Sequence, residues 1–133
     1  MLYETRETDL EDLLTMFCTQ LLNHTFEATQ TFTLEKTAYS ICVGRENGIC
    51  TIMISTELPK DSKLIDIYPV LFESNSLDPR GFFNANQIKQ SSFLTYTQRI
   101  ILESHSITME LLTNIVDTAC ARLRKIKKEL GMK

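Results

Sequence analysis

The chain has 133 residues, of which 43% are hydrophobic and 23% are charged, and its formal net charge at pH 7 is −3. This composition is ordinary for a globular protein, so it excludes an intrinsically disordered chain and predicts a single domain over residues 1–133. The acidic balance argues against a general nucleic-acid binder. The sequence has no apolar run of about 18 residues and no basic-then-apolar amino terminus, which argues against a membrane span. We therefore expect a soluble, cytoplasmic protein.

The four cysteines lie within predicted helices and strands, and none forms a C-x-x-C pair. They are Cys18, Cys42, Cys50 and Cys120. Metal sites and disulfide frameworks usually place closely spaced cysteines in loops. We expect free thiols instead, because an unpaired cysteine behaves as a small hydrophobic residue.

The first predicted element is a helix that begins at residues 8–11. Thr8 and Glu11 stand in a capping-box arrangement, in which each side chain can accept from a backbone N–H at the helix start. Apolar residues then recur at helical spacing and stop before Asn23 and His24. The stripe is too short to cross a membrane, so we expect this helix to dock on a sheet.

Residues 26–58 favour three antiparallel strands, because aromatic and β-branched residues replace the helical pattern. Asn47-Gly48 predicts a type I′ hairpin turn, since both residues tolerate a positive φ. This turn would pair Val43 with Ile52 and Ile41 with Ile54. One face would then be apolar, with Tyr39, Ile41, Val43, Cys50, Ile52 and Ile54. The other face would be half polar, with Ser40, Cys42, Thr51, Met53 and Ser55.

The densest apolar run covers residues 64–72 and admits two interpretations. Spacings of three and four favour a helix that starts near Ser62, although Pro69 would remove one backbone hydrogen bond and kink it. Alternatively, a short strand ends at Tyr68 and Pro69 is the first residue of a helix. Residues 74–76 and 78–81 have the composition of loops and turns.

The last third of the chain predicts a second antiparallel pair and a long helix. Residues 82–88 and 93–102 form the pair, which turns around residues 89–92. Residues 106–131 read as an amphipathic helix, in which Glu110 complements the helix dipole and Gly131 serves as the C′ residue. Its apolar stripe comprises Ile107, Leu111, Ile115, Ala119, Leu123, Ile126 and Leu130. The predicted fold is therefore α+β: helix, three-stranded antiparallel meander, helix, two-strand hairpin and long C-terminal helix.

Catalytic chemistry has no recognisable carrier in this sequence. A nucleophile elbow, a P-loop and a dinucleotide-binding fingerprint are all absent. The only histidines, His24 and His105, have no motif neighbours and read as surface or capping residues. The acidic residues Asp61, Asp66, Glu73 and Asp78 match no metal-binding loop. We therefore expect no enzyme activity, no cofactor and no bound metal.

The final helix carries five cations between residues 122 and 128. Such a cluster could contact phosphate groups. Aromatic residues that would stack on bases are absent there, and the cations complement the helix dipole and the acidic amino terminus. We expect a solvated or intramolecularly paired surface rather than a nucleic-acid site.

The order of the predicted elements resembles that of class I (CesT-like) type III secretion chaperones and the related YbjN-like domains. The resemblance rests on Leu58-Pro59, Leu64-Ile65, Leu71-Phe72, the hairpin at residues 81–102 and the closing helix at residues 109–130. It implies a cytoplasmic, ATP-independent homodimer that holds an extended amino-terminal segment of a secreted effector. The alternative function is a small adaptor, immunity or inhibitor protein that binds a folded partner.

Two sets of apolar residues are the predicted contact surfaces. The partner-binding set comprises Phe26, Phe32, Leu34, Cys42 and Met53. These residues stand among threonines and serines, so several should remain exposed unless helices cover both sheet faces. The dimer-interface set comprises Ile67, Tyr68, Phe72, Phe82 and Phe83. This cluster holds more large apolar residues than one face of so small a chain can bury.

Overall fold

The computed structural model describes residues 10–21, 26–60, 62–77, 80–102 and 107–130. Its elements are α1 (Leu10–Leu21), β1 (Phe26–Leu34), β2 (Thr37–Glu46), β3 (Ile49–Glu57), α2 (Leu64–Leu77), β4 (Gly81–Ile88), β5 (Ser91–Ile101) and α3 (Met109–Glu129). The predicted α+β class and element order are confirmed. Thr8 of the predicted capping box, His24, His105 and Gly131 lie outside the described residues.

The five strands form one antiparallel sheet in the order β1-β2-β3-β5-β4. Asn47 and Gly48 have φ values of 52° and 76°, as the predicted type I′ turn requires. The predicted pairs Val43–Ile52 and Ile41–Ile54 are confirmed. The hydrophobic pattern therefore fixes the register of this hairpin, because a slip by one residue would turn every buried side chain to the other face.

A second tight turn joins β1 and β2, and it contains neither glycine nor asparagine, the residues that usually indicate such a turn in a sequence. Glu35 and Lys36 occupy its centre with φ values of 50° and 66°, a conformation that costs most residues on the order of 1 kcal/mol. The guanidinium group of Arg124 on α3 lies 3.3 Å from the Glu35 carboxylate and donates to the Tyr39 hydroxyl at 3.3 Å. These contacts tie the turn to the final helix.

The three helices of the described ranges pack on the same face of the sheet. Helix α1 contacts β1, β2 and α3, while α3 crosses β3 and β5 and α2 lies against β4. The Arg45 guanidinium donates to the Leu21 carbonyl at 2.6 Å and so anchors the end of α1 to β2. None of the described helices is long and apolar enough to cross a membrane.

Helix α3 is the central member of this helical layer. Thr108 caps it by accepting from the Leu111 N–H at 3.1 Å. The side chains that α3 buries are Leu112, Ile115, Val116, Ala119, Cys120, Leu123 and Ile126. The predicted stripe is thus broadly correct, although Leu111 and Leu130 at its margins are only half-buried.

Helix α2 resolves the ambiguity that Pro69 left in the sequence. It is one continuous helix with Pro69 inside it, so the interpretation as a strand followed by a helix is wrong. The prediction of a loop at residues 74–76 is also wrong, because the helix runs on to Leu77. The Asn75 amide explains this extension: it accepts from the Phe83 N–H at 2.5 Å and donates to the Phe83 carbonyl at 2.9 Å.

Three of the basic residues on α3 contact the rest of the chain. The Arg122 guanidinium lies 5.1 Å from the centre of the Phe83 ring, a cation–π arrangement. Arg124 contacts Glu35 and Tyr39, as described above, and Lys127 donates to the Glu57 carbonyl at 3.5 Å. These contacts agree with the interpretation of an intramolecularly paired surface.

The central packing of α3 gives a stability prediction. Leu123 is fully buried, so Leu123→Ala should lower the free energy of unfolding by about 2–5 kcal/mol, through lost apolar transfer and a residual cavity. Urea denaturation measures this change. Lys125→Ala, at an exposed position on the same helix, is the control and should change the stability by less than about 0.5 kcal/mol. Equal midpoints for the two variants would contradict the packing.

Candidate partner-binding surface

One face of the sheet carries no helix in the part of the chain that the structure describes. Side chains alternate between the two faces of a strand, so the residues next to the buried ones point to this open face. A single row crosses it through successive register pairs: Cys42 opposes Met53, Met53 opposes Thr97, and Thr97 opposes Phe82. The row spans four adjacent strands, from β2 to β4.

Large apolar side chains remain accessible on this open face. Met53 is 40% exposed, and the other exposed members are Ile49, Phe82, Ile88 and Ile101. Between these exposed residues the surface projects less, because Thr95 and Thr97 are buried among their neighbours. The Ser55 and Thr95 hydroxyls lie 2.9 Å apart. Five exposed apolar side chains on one sheet face, interspersed with Thr97 and Arg99, make this face the candidate partner-binding surface.

A cavity of about 470 Å³ opens on the same face near the β2–β3 turn. Cys42, Gly44, Thr51 and Met53 are among its lining residues. A Cβ atom at Gly44 would meet only ordinary contacts, the nearest being the Phe26 carbonyl oxygen at 3.6 Å. The glycine is therefore not required by the local packing. Its missing side chain deepens the depression beside Met53.

The predicted partner-binding set is divided between the two faces. Cys42 and Met53 lie together on the open face, as predicted. Phe26 borders the cavity, but its ring packs edge-on against Phe17 of α1, 6.5 Å between centroids. Leu34 is half-buried on the helix-covered face.

Phe32 requires a correction. It is only 2% exposed and stacks on Tyr39 with ring centroids 5.4 Å apart. The threonines around it suggested an exposed strand, but they all point to the opposite face. Phe32 is a core residue and is not available to a partner.

The predicted dimer-interface set is divided in a similar way. Ile67 and Phe83 are buried in the core of the chain itself, so neither can contact a second subunit directly, and the prediction is corrected for both. Tyr68, Phe72 and Phe82 are exposed, and Phe72 retains 80% of its accessible surface.

Sequence reasoning missed Ile65, which completes an exposed apolar stripe on α2. Ile65, Tyr68 and Phe72 follow one another at intervals of three and four residues and share one side of the helix. Leu64, Ile67 and Leu71 occupy the side that packs on the core. A helix that is apolar on both sides usually buries both of them. Since so short a chain can cover only one side of α2, the pattern in the sequence could have indicated that the other side is exposed.

A second cavity, of about 500 Å³, lies between α3 and β5 and was not predicted. Its lining includes Tyr96, Gln98, Leu111, Asn114 and Ile115. The Tyr96 hydroxyl donates to the Gln98 side-chain carbonyl at 2.9 Å. The described lining contains amide, hydroxyl and guanidinium groups beside the apolar side chains of Leu111 and Ile115.

The cysteines are free thiols, as predicted. Burial raises the pKa of Cys50 to about 11 and that of Cys120 to about 12, and it also raises the pKa of Cys18. These thiols therefore stay protonated near neutral pH. Within the described ranges, no three His, Cys, Asp or Glu side chains come together to hold a metal; Asp61 and Asp78 lie outside those ranges.

Comparison with known proteins gives no relative for this surface. Neither a protein-family model, nor a curated protein, nor a solved structure matches the chain. The function is therefore inferred from the geometry and chemistry of the surface itself.

The cysteines provide a direct probe of the open face. Cys42 is half-buried on that face, whereas Cys50 and Cys120 are fully buried. At about pH 8 a maleimide should label Cys42 well before Cys50 and Cys120, which should react only on unfolding, because the thiolate is the reactive species. Mass spectrometry of labelled peptides identifies the sites, and Cys42→Ser is the control. Rapid labelling of Cys120 in the folded protein would contradict this arrangement.

Proposed function

We propose that the protein is a non-enzymatic, chaperone-like binding protein that holds an extended segment of a partner protein against the open face of its sheet. The observation that carries this proposal is the row of Cys42, Met53, Thr97 and Phe82, in which Met53 and Phe82 are exposed, on a face that no described helix covers. A three-helix layer on the other face already supplies the core. The exposed apolar side chains of the open face are therefore not needed for folding and are free to serve binding.

The chemistry of the row suits a segment without a fold of its own. Methionine is unbranched and polarisable, so Met53 can adapt to different apolar side chains. Four strands at a spacing of about 4.8 Å make the row roughly 14 Å long, which matches about four residues of extended chain. The cavity beside Gly44 offers room for one larger side chain of that segment. The hydroxyl groups of Ser55 and Thr51 can bond to its backbone.

The second part of the proposal is a homodimer built on α2. Ile65, Tyr68 and Phe72 form an exposed stripe beside the β4 edge of the sheet. Burying such side chains contributes about 1.5–3 kcal/mol each, and a second copy of the same helix offers a self-complementary apolar surface. Phe82, on the adjoining strand, would lie at the margin of that interface.

The resemblance to class I type III secretion chaperones supports this reading of the surface. The element order of the structure is the one on which that resemblance rests. The resemblance implies a cytoplasmic homodimer whose client is an extended effector segment, and we adopt that client class as part of the proposal. A folded partner, as for an adaptor or inhibitor, is the outcome that the experiment below would distinguish.

The partner site is tested by capture and proteolysis. Met53→Glu should abolish partner capture from a lysate of the source cell, because it places a charge in the apolar row. The thermal midpoint should stay within a few degrees, since Met53 is half-exposed. Met16→Glu, at an equally exposed methionine (37%) on α1, is the matched control and should capture normally. Limited proteolysis of the captured complex should leave a short protected segment. An intact, protease-resistant partner would favour the adaptor alternative, and full capture by Met53→Glu would exclude the site.

The core position Phe32 provides the contrasting variant. A carboxylate at a side chain only 2% exposed would be buried without a partner, so Phe32→Glu should unfold the protein rather than merely stop it binding. Circular dichroism at 25 °C reports this outcome directly. A folded Phe32→Glu protein would overturn the assignment of Phe32 to the core.

The homodimer is tested with Phe72→Glu. The wild-type protein should sediment at micromolar concentration as a species heavier than the 15.3 kDa chain. Phe72→Glu should lower that mass while circular dichroism shows a folded chain, because the side chain is 80% exposed in the single chain; the thermal midpoint should fall only by the stabilisation that the dimer contributed. Met16→Glu again serves as the control. An identical mass for wild type and Phe72→Glu would rule out the α2 interface.

A further inference from the structure

The two edges of the sheet are protected unequally. The outward-facing backbone of β4 is occupied at Phe83, since the Asn75 amide bonds both the N–H and the carbonyl of this residue. This side chain takes the place of a neighbouring strand. At β1, no described residue makes a comparable contact with the outward edge.

The residues that β1 presents at its edge follow from the β1–β2 turn. In a two-residue hairpin the flanking residues, here Leu34 and Thr37, exchange two hydrogen bonds, and bonded residues then alternate along the strand. Phe26, Ala28, Gln30, Phe32 and Leu34 therefore bond to β2. The outward backbone groups belong to Glu27, Thr29, Thr31 and Thr33, all of them exposed.

Strand β1 lacks the devices that usually prevent strand edges from pairing. Its register with β2 is continuous over all nine residues, without a bulge. It contains no proline or lysine, and Glu27 is its only charged residue. A long, regular and nearly uncharged edge of this kind is a template for another strand.

The sequence of β1 is complementary to itself when two copies run antiparallel about Gln30. Thr29 then opposes Thr31, and Glu27 opposes Thr33, so the four outward residues face one another as hydrogen-bonded pairs. On the helix-covered side Phe26 opposes Leu34, so that two large side chains meet, and Ala28 opposes Phe32, so that a small side chain meets a large one. No like charges meet, and threonine pairs of this kind stabilise neighbouring strands.

We propose that β1 is an interface for a second copy of this chain, paired antiparallel across a twofold axis at Gln30. Two hydrogen bonds form at each of the four opposed outward pairs, and the two five-stranded sheets join into one sheet of ten strands. The pairing lies at the opposite edge from α2, so it is independent of the α2 homodimer. It makes the open faces of two copies continuous, which would double the width of the partner-binding surface.

The opposing effects of two lysine substitutions test both the interface and its register. Sedimentation equilibrium is measured in a Phe72→Glu background, so that association through α2 does not contribute. One strand pair buries less than a standard interface of about 1,600 Å², so the expected association is weak and needs high protein concentration. Gln30→Lys brings two like charges together at the axis and should weaken dimerisation about tenfold. Thr33→Lys faces Glu27 of the other copy and should strengthen it.

Because both variants add one lysine to the same exposed strand, a general effect of net charge cannot produce opposite results. Mixing equal amounts of Gln30→Lys and Gln30→Glu should restore the association that each variant alone has lost. Equal effects of Gln30→Lys and Thr33→Lys, or no recovery in the mixture, would overturn the proposed register. A strictly monomeric protein in the Phe72→Glu background would overturn the interface itself.

Hydrogen exchange gives a second measurement that needs no variant of β1. In the same background, the outward amides of Thr29 and Thr31 should gain protection as protein concentration rises, whereas the Gln30 amide, which bonds to β2, should be protected throughout. Protection of Thr29 and Thr31 that does not depend on concentration would show that the chain covers this edge itself, and the proposal would fail. These outcomes do not involve the partner segment, so they stand or fall separately from the proposed function.

Discussion

The structure depends on the burial of one face of helix α3 against the middle of the sheet. Leu123, Cys120 and Val116 are fully buried there, against the apolar residues of β3 and β5. Helices α1 and α2 flank α3 and complete a single layer. Since the conformational entropy of the chain must be offset by such burial, this one apolar interface holds the fold together. Arg124 of α3 also contacts Glu35 and Tyr39, and these contacts connect α3 to the β1–β2 turn.

The described helices form one layer, so the second face of the sheet has no helix packed against it. In many antiparallel sheets the second face is polar and solvated. Here the second face carries Met53, Phe82 and Ile101 in exposed positions. The charged residues Arg122, Arg124 and Lys127 of α3 instead contact other parts of the chain. These apolar side chains are therefore exposed rather than buried in the core, which is the observation on which the proposed partner site rests.

The edges of the sheet follow the same logic. Residues 74–77 extend α2 by about one turn beyond the predicted boundary, and the Asn75 amide in this turn bonds both outward groups of Phe83. Helix α2 thereby covers one edge at Phe83 and displays Ile65, Tyr68 and Phe72 beside it. The opposite edge carries only threonines and one glutamate on its outward positions. The two edges of the sheet thus differ: one carries exposed apolar side chains of α2, and the other carries outward backbone groups that no described residue contacts.

The sequence by itself determined the element order, the Asn47-Gly48 turn, the register of β2 with β3 and the buried stripe of α3. These features follow from local conformational preference and from periods of 2 and 3.6 residues, which a single segment displays in full. The placement of Cys42 and Met53 on the open face followed from that register. Only the tertiary structure decided that Phe32, Ile67 and Phe83 belong to the core, because burial depends on which element lies opposite a residue. It also decided the continuation of α2 through Asn75 and the turn at Glu35-Lys36, since both are stabilised by contacts with residues distant in the chain.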